Sequence, residues 1–127
     1  MIGLLLVALL ARPDVVHDVQ SLTRQQICAV RWGLDRRHVT EAMKQEIARR
    51  AGIRRSTIVG HGRGPCCEFD HIVPRELGGA DVLENLQLQP WKIATRKDAD
   101  ENAMHKAVCA GTVGLKEAQQ RMRDWKP

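Results

Sequence analysis

In the middle of the chain an aspartate directly followed by a histidine closes an apolar run, Phe69-Asp70-His71-Ile72-Val73-Pro74. Leu77-Gly78-Gly79 comes next, then Glu84-Asn85-Leu86-Gln87-Leu88. Asp70 offers carboxylate oxygen to a hard cation. His71 can take a proton from water near neutral pH. Neighbouring residues of a strand point to opposite faces, so the two can serve one site only where a strand ends and twists. Pro74 and Gly78-Gly79 supply that punctuation. Taken singly, Asp70 also reads as a turn residue, His71 as a surface histidine and Asn85 as a turn cap. Their order around a glycine pair is what points to chemistry.

The elements that must position these residues come from a chain of 127 residues, enough for one domain with a modest core. Residues 13–127 read as that domain, with its core at about 66–110, behind an apolar segment at 1–12. With one Phe and no Tyr, long sandwich strands are not expected. The net charge of +5 is uneven. Residues 1–65 carry 11 basic and 5 acidic side chains, and residues 66–127 carry 9 and 10. The basic half suits a polyanion such as nucleic acid, or is simply a solvated surface.

Four cysteines, Cys28, Cys66, Cys67 and Cys109, form no CxxC pair, so a zinc knuckle is not supported. Cys28 and Cys109 either pair across the fold in an oxidising compartment or serve as small apolar residues. Adjacent Cys66 and Cys67 are not expected to bond to each other. The apolar run at 2–11 is too short to span a bilayer. It fits the core of a secretory signal, without the usual preceding charge or cleavage site, or a docked helix. A bacterial or phage cytoplasmic setting and an exported or periplasmic one both remain open.

Residues 21–30 suit a short helix burying Leu22, Ile27 and Val30. Residues 40–51 suit a better one, capped by Thr40 and ended by Gly52, with Ala42, Met43, Ile47, Ala48 and Ala51 inward. Lys44, Arg49 and Arg50 lie on its other face, followed by Arg54 and Arg55, as a phosphate-contacting ridge or a solvated one. The glycine-rich loop at 60–65 lacks the ending of a phosphate-binding P-loop, and His61 reads as a loop residue. Residues 66–69 read as a first strand. A helix is predicted from about 93 to 110, packed through Ala99, Ala103, Val108 and Cys109, and a last one from 115 to 125.

Asp70-His71, the Gly-Gly turn, Asn85, a second strand and then a helix resemble the HNH nuclease motif. The resemblance implies a ββα-metal core, and with it an α+β fold: a small β-hairpin plus helix, flanked by helices. It implies a metal-dependent endonuclease that cuts DNA phosphodiesters, most simply double-stranded, with low sequence preference. Asp70 would be a metal ligand, His71 the general base, and Asn85 the amide that orients the His71 loop. Mg²⁺ or Mn²⁺ fits a carboxylate site better than zinc. The family usually places a last ligand about nine residues after the middle Asn. Here that residue is Ala94, which cannot bind metal. Asp98 and His105 continue its stripe at helical spacing. Asp98 is the nearer replacement, and His105 could also contact phosphate. Lys97 matches a lysine often seen in the family, and Lys97, Arg96, Arg54 and Arg55 are candidate nucleic-acid contacts. The likeness extends over roughly 26–125 to a branch of small bacterial HNH proteins, many apparently exported. Ala94 favours one alternative, a degenerate HNH fold that binds DNA without cutting it. No oligomeric state and no stable membrane span is implied.

Overall fold

A computed structural model describes residues 18–34, 37–58 and 66–127. The apolar run at 2–11 and the loop containing His61 lie outside the described residues. Among those described, four α-helices surround one two-stranded antiparallel hairpin: α1 (Arg24–Ala29), α2 (Glu41–Arg50), β1 (Glu68–His71), β2 (Leu86–Gln89), α3 (Trp91–Cys109) and α4 (Leu115–Arg123). The fold is α+β, with the hairpin feeding directly into α3. No helix among the described residues is long and apolar enough to cross a membrane.

Local chemistry sets the helix starts. The Thr23 hydroxyl accepts from the Gln26 N–H while the Gln26 side chain accepts from the Thr23 N–H, so α1 opens on a capping box. The Thr40 hydroxyl caps α2 through the Met43 N–H. Gly52, at φ +68°, lets the chain leave α2 in the left-handed region. Pro90 precedes α3, where a missing N–H costs nothing.

Two apolar clusters hold these elements. Val73, Leu77, Val108, Ala118 and Met122 join the turn after β1 to α3 and α4. Ala48, Ile58 and Cys67 join α2 to the hairpin, with Phe69 and Leu88 against them. Each large buried aliphatic side chain contributes about 1.5–3 kcal/mol. Polar ties cross between elements. Arg24 donates to the Val108 and Cys109 carbonyls at 2.8 Å each, which satisfies the end of α3. Arg123 pairs with Asp18 at 2.6 Å.

Several sequence expectations shift. β1 begins at Glu68 and runs through His71, later than the predicted strand at 66–69. The reason is pairing: the register Glu68↔Gln89 to His71↔Leu86 places Asp70 opposite Gln87. α3 starts at Trp91, two residues early, because Pro90 is a favourable lead-in rather than a break. Its packed stripe is therefore Ala94, Lys97 and Val108, and Ala99 and Ala103 are exposed. Val30, Ala42 and Ala51 are exposed too, since only one turn each of α1 and α2 meets the core. α4 ends at Arg123, and Trp125 packs from the tail, its Nε1–H donating to Asp100 at 2.8 Å.

Cys28 and Cys109 are disulfide-bonded, tying α1 to the end of α3. Cys28 is exposed, so it is no apolar core residue. The peptide between the adjacent Cys66 and Cys67 is cis.

Candidate active site

The hairpin and α3 meet around a cavity of about 360 Å³. Asp70 and His71 both line it, the arrangement that alternation forbids inside a strand. His71 is the last residue of β1, and the chain bends immediately after it.

Asn85 holds that bend. It is fully buried, its Oδ1 accepts from the Val73 N–H at 2.8 Å, and its Nδ2 donates to the Val73 and Ala80 carbonyls at 2.9 and 3.1 Å. Its own carbonyl accepts from the Ile72 N–H at 2.8 Å. One amide side chain thereby satisfies three backbone groups inside the loop that follows His71. Gly79 makes the closeness possible. A Cβ there would lie 1.8 Å from the Val73 oxygen and 2.9 Å from Asn85 Nδ2. Gly78, at φ +86°, provides the left-handed corner before it. From α4, Gln119 Nε2 supports the turn by donating to the Leu77 carbonyl at 2.8 Å.

Asp70 is nearly as buried. Among the described residues, both of its side-chain bonds fall on Oδ2: Lys97 Nζ at 2.5 Å and Gln87 Nε2 at 2.9 Å. Lys97, expected to touch nucleic acid, does not face solvent. It is 1% exposed, and its ammonium also donates to the His71 and Ile72 carbonyls at 2.6 and 3.1 Å and lies 3.4 Å from Glu101. A helix residue aimed at the hairpin from α3 is enclosed by β1, so this cation serves the site from beneath and has no surface from which to meet a phosphate.

Asp98, the next residue of α3, is exposed and lines the cavity with Glu101 and Asn102. Burial, then the nearby Asp70 charge, pushes the Asp98 carboxyl up. Burial pushes Glu101 up to about 8; Lys97 opposes this only partly, being shared with Asp70. Glu68 is raised by burial and by Asp98 and Asp70. The carboxyls of Glu68, Asp98 and Glu101 thus resist ionising first because partial burial penalises their charge, and then because carboxylates lie near one another. Ala94 is fully buried and lines no part of the cavity. His105 is also elsewhere: its Nδ1 bonds the Glu76 carbonyl at 2.7 Å and its Nε2 lies 3.7 Å from Cys109 Sγ.

His71 Nε2 is 2.7 Å from Asp81 Oδ1. Burial lowers the imidazole pKa below its usual value, and the Asp81 bond opposes that fall. Burial alone would raise Asp81, but the His38 N–H at 2.7 Å and the His71 bond bring it below the ordinary aspartate range. Arg37 and Arg75 also line the cavity, with Arg75 over the Trp32 ring at 5.9 Å.

Of the other basic candidates, Arg54 and Arg96 are exposed, whereas Arg55 pairs with Glu41 at 2.8 Å and covers the Phe69 ring. Sequence reasoning missed Glu68, Asp81, Glu101, Arg37 and Arg75. Two of them had a signal: Glu68 shares a strand face with Asp70 at period two, and Glu101 shares a helix face with Lys97 at i+4. Asp81 and Arg37 had none, because loop geometry brings them in.

Among the described residues, no three His, Cys, Asp or Glu side chains converge into a metal-binding group. The donors are nonetheless hard carboxylate oxygens, and Mg²⁺ commonly takes one or two carboxylates, completing its shell with water and substrate phosphate. The donor chemistry fits such a cation.

No curated protein and no solved structure matches the chain. The family model for HNH endonuclease matches residues 56–89, which include β1, the clamped turn and β2. The stretch that carries Asp70, His71, Asp81 and Asn85 lies within that match and is similar to the HNH endonuclease family.

Proposed function

We propose that this protein is a metal-dependent endonuclease that hydrolyses DNA phosphodiester bonds. The observation that carries this reading is the placement of His71 beside Asp70 and Asp98 on one cavity, at the end of a strand whose following turn is clamped by Asn85. In this reading Asp70 and Asp98 hold a divalent cation, Mg²⁺ or Mn²⁺. Such an ion, when bound, neutralises the phosphate and stabilises the departing oxygen. His71 takes the proton of the attacking water; as the new P–O bond forms, the bond to the departing sugar oxygen breaks and that oxygen is protonated from solvent. Asn85 keeps the His71 turn fixed, so that the imidazole holds the attacking water on one side of the phosphorus. Arg37 and Arg75 at the cavity, with exposed Arg54 and Arg96, supply positive charge for a nucleic-acid backbone.

A second reading has its own support. Ala94 offers no ligand, and the Lys97 ammonium already neutralises Asp70. A chain of this kind would bind DNA without cutting it.

Plasmid cleavage with Mg²⁺, Mn²⁺ or EDTA decides between the two, run beside His71→Ala and Asp98→Ala. Metal-dependent cutting lost in both variants supports the site as assigned. Cutting lost only in His71→Ala keeps the nuclease and removes Asp98 from the metal site. DNA bound but uncut under every metal overturns the nuclease reading.

A further inference from the structure

We infer that Asp81 is the positioning residue that fixes the His71 tautomer, placing the proton on Nε2 and leaving the Nδ1 lone pair to act as the base. The proposal deepens the nuclease reading of His71 and rests on it for its catalytic consequence. Its tautomeric part rests on geometry alone.

Both Asp81 oxygens are committed. Oδ2 accepts from the His38 backbone N–H at 2.7 Å, and that donor cannot reverse its role. Oδ1 faces His71 Nε2 at 2.7 Å, with Arg75 Nε 3.3 Å away. An anionic carboxylate only accepts, so a neutral imidazole at this distance must carry its hydrogen on Nε2. The other ring nitrogen, Nδ1, bonds to no described residue. His71 lines the active-site cavity and Asp81 does not, so the Nε2 edge is turned away from the cavity and Nδ1 is left to serve it. Both side chains are largely withdrawn from water, at 11% and 9% exposed, which limits competition for the bond.

The same three contacts predict what an amide would do. In Asp81→Asn the carbonyl oxygen must stay with the His38 N–H, because an amide NH₂ cannot accept from it. The NH₂ then faces His71 Nε2 and makes it an acceptor. The proton moves to Nδ1, where it blocks the base. A single atom exchange thus inverts the imidazole without changing the side chain's shape.

The test reads the tautomer directly, by ¹⁵N chemical shifts of the His71 ring at a pH above its titration. Wild type is expected to show the Nε2–H form and Asp81→Asn the Nδ1–H form. In plasmid cleavage, kcat of Asp81→Asn is expected to fall about 10²–10⁴-fold, the scale of general-base catalysis, with KM for DNA little changed. A wild-type Nδ1–H tautomer, or an unchanged tautomer in the variant, overturns the proposal, and the wild-type measurement needs no variant to fold. An altered tautomer with unchanged kcat overturns the catalytic role. If wild type cuts nothing yet shows the expected tautomers, the nuclease reading fails while the orientation of His71 by Asp81 stands.

Discussion

The ammonium of Lys97 lies 2.5 Å from Oδ2 of Asp70, and both side chains are removed from solvent. Such a pair gains little over apolar residues of equal size, but breaking it strands a buried charge. Lys97→Met is therefore expected to lower the unfolding free energy by about 3–5 kcal/mol in urea titrations. Adding Asp70→Asn to it should recover part of that loss, since the stranded carboxylate is gone. Additive losses would show that the two groups are not coupled.

Glu101 gives the stability a pH slope of known sign. Its carboxyl is pushed from the ordinary value of 4.5 up to about 8, first by burial. Between those two values the folded chain keeps a proton that the unfolded chain has released. Stability from this group is full below the lower value and is lost as pH rises through the upper one. Glu101→Gln removes the titration, so unfolding free energies measured across that window should fall less steeply with pH than in wild type. Parallel slopes would contradict the assignment.

The Gly-Gly turn should tolerate no side chain at its second residue. Gly79→Ala drives a Cβ into the Val73 carbonyl and against Asn85. A cost above about 2 kcal/mol is expected, with loss of cleavage as the His71 turn shifts. Gly114→Ala is the control. Nothing lies within 4 Å of its added Cβ, and a change within about 1 kcal/mol is expected.

The Cys28–Cys109 bridge closes a loop with a sequence separation of 81 residues. Cross-links of this kind typically contribute 2–4 kcal/mol, chiefly by restricting the unfolded chain. The Cys28→Ser/Cys109→Ser double variant should show a loss of about that size in urea unfolding. Arg24 still holds the α3 carboxyl end in that variant, so the folded-state circular dichroism should be unchanged.

The site was legible in the sequence wherever neighbouring residues carry it. Asp70, His71, Gly79 and Asn85 lie within one short stretch, and their order alone points to the hairpin and its turn. Asp98 was also reachable, because helical spacing from Ala94 survives a two-residue error in where α3 starts. Lys97 was misread because a lysine in a charged helix ordinarily faces water. Its burial depends on carbonyls and carboxylates that β1 brings beneath it, and no local pattern reports those. Asp81 stayed invisible for the same reason: its partners, His71 and His38, arrive from different directions.

The turn clamped by Asn85 has a consequence for how such a chain can change over generations. His71, Asp81, Asn85 and the glycine pair all fall between the end of β1 and the start of β2, and the matched stretch ends with β2, before α3 begins. The hairpin and its turn are held in part by their own hydrogen bonds and in part by Lys97 of α3 and Gln119 of α4. Substitutions at the cavity-lining positions of α3, Asp98, Glu101 and Asn102, can retune what the cavity holds while the Asn85 clamp and the Asp81–His71 bond stay as they are.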